Sequence, residues 1–92
     1  MNLIVGKVYL LRGGYILRYQ GPWGGKGPCL AFRCPQEGVS DPPVGYSASV
    51  EEVIREVTQA DRDWLLTRRD QARARNLHES VADTEFVLQE LA

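Results

Sequence analysis

The chain has 92 residues, with 11 Lys or Arg, 12 Asp or Glu, one His and two Cys. This length predicts a single domain over residues 1–92, because domains run to roughly 100–150 residues. The net charge of −1 excludes a strongly basic nucleic-acid-binding protein, and no apolar run reaches the roughly 18 residues that a membrane helix needs. The first residues show no basic-then-apolar signal segment, so we expect a cytoplasmic protein with reduced thiols.

The first half of the chain is predicted to begin with a β-hairpin. One apolar run covers Val8–Leu11 and a second covers Tyr15–Tyr19. Between them, Gly13 and Gly14 fit a two-residue primed turn, in which both central residues need positive φ.

That turn fixes a register for the hairpin and therefore the faces of its strands. It places Leu10 opposite Leu17 and Val8 opposite Tyr19, so these side chains are expected to face the core. The other face is expected to be at least partly exposed, and it carries Lys7, Tyr9, Leu11, Ile16, Arg18 and Gln20.

A third strand is predicted around Cys29–Cys34, with Leu30, Phe32 and Cys34 inward and the alternate residues Cys29, Ala31 and Arg33 outward. The preceding segment, residues 21–28, contains four Gly and two Pro and is predicted to be a loop. Residues 35–47 are predicted to be irregular apart from a short fourth strand at 44–47. The two cysteines would lie on opposite faces and could not share a metal, so we expect no metal site.

The second half of the chain is predicted to be helical. Ser49–Glu52 matches a capping box, and a stripe at Val50, Val53, Ile54 and Val57 follows at helical spacing. Thr58–Asp61 resembles a second cap. Another apolar stripe follows a break near residues 76–80, and it contains Val81, Thr84, Val87, Leu88 and Leu91. Whether residues 59–91 form one helix or two stays open.

These elements predict an α+β fold. An N-terminal antiparallel β-meander or small open barrel of three or four strands would occupy residues 1–48, and two or three C-terminal helices would occupy residues 49–92. The core of so short a chain is modest, so a homodimer through the C-terminal helix is compatible with the pattern.

Catalysis finds little support in the sequence. The one histidine, His78, lies in a polar stretch, and no nucleophile elbow or His-Glu-x-x-His motif is present. The glycine-rich segment Gly24–Gly27 precedes a strand and lacks the spacing of a phosphate-binding loop. We therefore expect no enzymatic activity and no cofactor.

Residue types that are common in binding hot spots suggest a protein partner. Arg62, Arg69 and Arg73 share one helical face at i, i+7 and i+11. The complete predicted partner-binding set is Trp23, Lys26, Arg62, Arg68, Arg69, Arg73 and Arg75. The alternative interpretation is a solvated helix with internal ion pairs, such as Asp70 with Arg73.

The outer face of the hairpin suggests a second hypothesis, weak binding of single-stranded nucleic acid. Cations beside an aromatic ring can neutralise phosphates and stack on bases. The residues concerned are Lys7, Tyr9, Arg18 and Arg33. In the alternative structural interpretation, Tyr9 stacks on Arg18 across the hairpin as a cation–π pair.

The opening hairpin resembles a known family. Within Gly6–Tyr15, the run Tyr9-Leu10-Leu11-Arg12-Gly13-Gly14 is similar to the Tyr-x-Leu-Arg-x-Gly pattern of small SH3-like barrel accessory proteins of phages and prophages. The resemblance covers about a third of the chain. It implies an SH3-like open barrel and a non-enzymatic, phage-encoded protein that binds a host protein complex and inhibits or redirects it. It assigns no functional residue.

Overall fold

The α+β class is confirmed by a computed structural model, which describes residues 2–22 and 29–92. The chain divides into two compact units, Met1–Glu56 and Val57–Ala92. The first unit contains an open antiparallel sheet of five strands, and the second contains two α-helices.

The strands follow one another in the order β4-β3-β2-β1-β5, so the last strand returns to the free edge of the first. Their bounds are β1 Val8–Leu11, β2 Tyr15–Pro22, β3 Cys29–Arg33, β4 Tyr46–Ser49 and β5 Val53–Glu56. The helices are α1, Arg62–Ala74, and α2, His78–Leu91. Single 3₁₀ turns lie at Pro35–Glu37, Val50–Glu52 and Gln59–Asp61.

The hairpin exists, but its predicted register was wrong by one residue. Leu11 pairs with Tyr15 and Tyr9 pairs with Leu17, so the connection has three residues, Arg12 to Gly14. Both glycines take positive φ, as expected. The backbone N–H of Arg12 donates to Glu52 O at 2.7 Å, which removes that residue from the hairpin ladder. The extra loop residue turns every side chain of β1 to the opposite face.

As a result, Tyr9 and Leu11 lie in the core, where the sequence placed Val8 and Leu10. Tyr9 is 2% exposed, and its ring packs edge-on against Tyr19 with 6.4 Å between the ring centroids. The phenol of Tyr9 accepts a hydrogen bond from the N–H of Ile4 at 2.8 Å, so its buried oxygen is satisfied. The core cluster comprises Tyr9, Leu11, Tyr19, Phe32, Ala48 and Val53.

The helix predicted from Ser49 to Val57 was also wrong. Its capping box is present, but it closes a single 3₁₀ turn, after which β5 begins at Val53. In β5, Val53 is buried and its neighbour Ile54 is 52% exposed, as expected for alternate faces of a strand. β-Branched side chains tolerate a strand well, and the free edge of β1 supplies the hydrogen bonds. The helical part of the chain therefore begins later than residue 49.

The second face of the sheet, predicted to be partly exposed, is also buried in part, because the segment after β3 packs on it. Arg18 is 6% exposed and Gln20 is 3% exposed. The guanidinium of Arg18 donates to Pro35 O at 2.9 Å and to Gly6 O at 2.6 Å. The Gln20 amide donates to Gly38 O and accepts from the N–H of Ser40, both at 2.7 Å. These two side chains hold the connecting segment against β2.

In the second unit, the chain forms two helices with a sharp corner between them. Asn76 has φ of 58°, the N–H of Leu77 donates to Ala72 O, and the N–H of Asn76 donates to Arg73 O. This is a Schellman motif with asparagine in the left-handed position. The expected cap at Thr58 is confirmed, since its N–H donates to the Asp61 carboxylate at 2.8 Å. The predicted stripe of α2 is confirmed as well, with Thr84, Val87 and Leu88 buried.

We predict that Arg18→Leu lowers the free energy of unfolding by about 2–4 kcal/mol, because two buried carbonyls lose a charged donor. Urea denaturation followed by circular dichroism measures the change. Arg12→Leu is the control, since Arg12 is exposed, and we expect it to change stability by less than about 1 kcal/mol. Equal effects of the two substitutions would show that Arg18 does not hold the segment.

We predict that Gly45→Ala destabilises the protein by about 2–4 kcal/mol, because Gly45 has φ of 124° and a Cβ there would overlap the carbonyl oxygen of Phe32. Gly38→Ala is the matched control. Gly38 also has positive φ, but a Cβ there meets open space, so only conformational strain of about 1–2 kcal/mol is expected. The same denaturation assay compares them, and equal losses would contradict the steric account.

Candidate functional site

A groove on the helical unit brings together several of the arginines predicted from sequence. It has a volume of about 260 Å³ and lies between α1 and α2. Its lining residues are Arg62, Leu66, Arg69, Glu85, Leu88, Gln89 and Ala92. Buried Leu88 and half-buried Leu66 give the groove an apolar floor, while the arginines and the polar residues of α2 form its rim.

The predicted row of three arginines lies along this groove. Arg62 and Arg69 line it directly, and Arg73 lies one turn further along α1. The Arg73 guanidinium donates to the Glu85 carboxylate of α2 at 3.4 Å. Asp70 pairs with Arg69 at 3.2 Å, so the predicted pairing of Asp70 with Arg73 was wrong. The Arg73–Glu85 pair is largely exposed, and in the other pair Asp70 is exposed while Arg69 is half-buried. Each such pair contributes little stability, about 0–1 kcal/mol.

Arg62 differs from the other two arginines of this row. It is exposed in the first turn of α1, and it makes no hydrogen bond or ion pair with any described residue. A cation at this position is opposed by the helix dipole, whose positive end lies at the N-terminus. Intrahelical pairing therefore does not explain this charge. An external anion would be attracted both by the Arg62 guanidinium and by the positive end of the helix dipole.

Arg68 lies apart from the groove. Its guanidinium carbon is 5.6 Å from the centroid of the Trp64 ring, a cation–π contact. Burial lowers the pKa of Arg68, and the charge of Asp83 acts in the opposite direction. Arg68 is thus part of the packing between side chains of the helical unit. We do not assign it to the groove.

Among the remaining members of the predicted partner-binding set that the structure describes, Arg75 is not part of the groove lining. Arg75 caps the C-terminal end of α1, where a cation is favoured by the dipole, and its side chain is exposed. Trp23 and Lys26 lie outside the described residues. Of the five predicted partner-binding residues that the structure describes, Arg62 and Arg69 line the groove and Arg73 is adjacent to it.

The four residues proposed to bind nucleic acid do not form the exposed face of the hairpin that the sequence predicted. Tyr9 faces the core, because the hairpin register differs, and Arg18 is buried against backbone carbonyls. Val8, not Tyr9, is opposite Arg18, so the expected cation–π pair does not form across the hairpin. Lys7 is exposed as predicted. Two of the four residues are thus unavailable for base stacking or phosphate contact.

The fourth residue of that set, Arg33, is engaged in an ion pair. Its guanidinium donates to the Glu37 carboxylate at 2.6 Å. This hydrogen bond, with a smaller contribution from the side chain of Cys34, holds the pKa of Glu37 below its usual value of 4.5. Arg33 would have to give up this contact before it could bind a phosphate.

The other candidate residues do not form a reactive cluster. His78 is exposed at the first position of α2. Cys29 and Cys34 are half-buried, and neither is in a disulfide. Among residues 2–22 and 29–92, no group of three or more His, Cys, Asp or Glu side chains is arranged to hold a metal ion.

Sequence reasoning missed the side of the groove that α2 provides. Glu85, Leu88, Gln89 and Ala92 are spaced i, i+3, i+4 and i+7, so they share one helical face. Leu66 likewise lies four residues after Arg62 and three before Arg69. These spacings could have indicated that each helix has a face combining apolar with polar or charged residues. They could not have indicated that the two faces lie against each other.

Comparisons with known proteins gave no match to a family model, a curated protein or a solved structure. The groove is therefore interpreted from its own chemistry. Within the described part of the chain, neither helix combines the length and apolar character required to cross a membrane.

We predict that Glu37 titrates below pH 4.5 in the folded protein and that Arg33→Gln moves its pKa upward, because the main hydrogen bond to the carboxylate is lost. The stability that Glu37 contributes is then present above pH 4.5 and is lost as the pH falls through the lower folded value. Side-chain NMR during an acid titration measures both, with Arg12→Gln as the control. An unshifted pKa in the unmodified protein would mean that Arg33 is available to a ligand.

Proposed function

We propose that this protein is a non-enzymatic interaction module that binds a partner protein through the groove between α1 and α2. The observation that carries the proposal is the exposed guanidinium of Arg62, which has no partner among the described residues, beside the apolar floor at Leu66 and Leu88. A protein interface usually has an apolar core and a polar rim, as Leu66 and Leu88 with the neighbouring arginines would provide. Arginine is also enriched at interface hot spots.

A protein partner fits this groove better than a nucleic acid. A phosphate strand would need a continuous row of cations, whereas Arg62 and Arg69 line the groove with the apolar Leu66 between them. Within residues 2–22 and 29–92, no aromatic ring lines the groove on which a base could stack. A folded or extended peptide can place an apolar side chain on the floor and keep its charges at the rim.

The resemblance of the opening hairpin supports a narrower proposal about the partner. As a phage-encoded accessory protein of the SH3-like type, this chain would act in the host cytoplasm. It would bind a host protein complex and inhibit or redirect it.

We predict that Arg62→Glu reduces capture of the partner from a host cell lysate at least about fivefold, since it replaces an attractive charge with a repulsive one. Glutamate at this position is favoured by the helix dipole, so loss of folding would not explain the loss of binding. Tagged protein, nuclease treatment and mass spectrometry provide the measurement.

Arg75→Glu is the matched control, because it makes the same charge change on the same unit but outside the groove. We expect it to retain the captured protein. Equal loss with both variants would show a general charge effect and would contradict the groove assignment. Capture that disappears with nuclease would replace the protein partner with a nucleic acid.

A further inference from the structure

We propose that the groove recognises an acidic segment of the partner in which one aliphatic side chain is flanked by carboxylates. This inference rests on the proposed function and names the chemistry of the segment that the groove binds. The aliphatic side chain would contact Leu66 and Leu88, and the flanking carboxylates would pair with Arg62 and Arg69.

The charge of the groove identifies the ligand as an anion. The charged residues that line it are Arg62, Arg69 and Glu85, and the Glu85 carboxylate already accepts from Arg73, so the charge that remains for a ligand is positive. Arg62 has no partner among the described residues, and Arg69 is bound only by the exposed carboxylate of its neighbour Asp70. A ligand carboxylate could replace Asp70 at Arg69, because the Asp70 carboxylate is exposed to solvent and such a pair is weak.

The geometry of the rim favours discrete carboxylates over a phosphate chain. Arg62 and Arg69 are seven residues apart on one face of α1, about 10.5 Å along the helix axis at 1.5 Å per residue. Leu66 lies between them, so an apolar group of the ligand must lie between the two anionic positions. A carboxylate, an aliphatic side chain and a second carboxylate along a peptide match this order.

The size of the groove limits what its floor can bind. About 260 Å³ is slightly below the roughly 300–1,000 Å³ of pockets that enclose drug-sized ligands. It is sufficient for one or two aliphatic side chains. Gln89 adds a side-chain amide at the rim. This amide can donate a hydrogen bond to the backbone of a bound peptide or accept one from it.

The experiment uses a synthetic peptide with one leucine between two pairs of glutamates, titrated into the ¹⁵N-labelled full-length protein. Two analogues isolate its features: one has glutamine in place of every glutamate, and the other has alanine in place of leucine. A single-stranded oligothymidine is titrated in parallel. Amide shifts map the site and give the dissociation constants.

The expected result is that the glutamate peptide shifts amides around Arg62, Leu66 and Leu88, and that both analogues bind more weakly. The double substitution Arg62→Gln with Arg69→Gln should lower the affinity for the peptide about threefold to tenfold, as expected for the loss of two ion pairs near the surface. Arg75→Gln should leave the affinity unchanged. Raising the salt concentration should lower the affinity of the unmodified protein for the peptide and should affect the double variant less.

Three outcomes would overturn the inference. These are equal binding of the glutamine analogue, shifts confined to other parts of the chain, and tighter binding of the oligothymidine at the groove. A concentration-dependent dimer that Arg62→Glu abolishes would instead identify a second copy as the occupant. If lysate capture depends on Arg62 but the acidic peptide does not bind, the proposed function survives and only the chemistry of the segment is wrong.

Discussion

The burial of Arg18 and Gln20 is the constraint on which the sheet unit depends. A connecting segment that packs on a sheet must find partners for its own backbone groups. The Arg18 guanidinium donates to Gly6 O and Pro35 O. The Gln20 side-chain amide donates to Gly38 O and accepts from the backbone N–H of Ser40. These hydrogen bonds tie both the chain before β1 and the chain after β3 to β2. They also make the second face of β2 a partly buried layer.

The three-residue loop at Arg12 decides which side chains form the other layer. With Leu11 opposite Tyr15, the aromatic rings of Tyr9, Tyr19 and Phe32 meet on one face, with 5.5 Å between the centroids of the last two. The same loop places the backbone of Arg12 against Glu52, so the 3₁₀ turn before β5 lies beside the hairpin tip. This backbone hydrogen bond thus joins the hairpin tip to the turn before β5, in addition to the ladder between β1 and β5.

In the helical unit, the corner at Asn76 makes the groove. Its left-handed backbone reverses the chain within a few residues, so that α2 returns along α1 and Glu85 reaches Arg73. A continuous helix over the same residues would carry the arginines and Leu88 on one rod, with no groove between them. The proposed binding chemistry therefore depends on a turn whose own residues do not line the site.

The sequence placed Ile16 and Ala31 on the outer face and Tyr15 on the core face, but the first two are buried and Tyr15 is exposed. By itself it determined the α+β class, the hairpin with its glycine turn, the core positions of Tyr19 and Phe32, the cap at Thr58 and the stripe of α2. Each follows from local periodicity or local hydrogen bonding. It also placed Arg62, Arg69 and Arg73 on one face, because helical spacing is local as well. Only the tertiary structure decided the register of β1, since a loop of two or three glycine-containing residues is equally compatible with the pattern. It likewise decided that residues 53–56 form a strand, because the edge of β1 supplies hydrogen bonds that no local signal reports, and that the arginine row faces α2 across a groove.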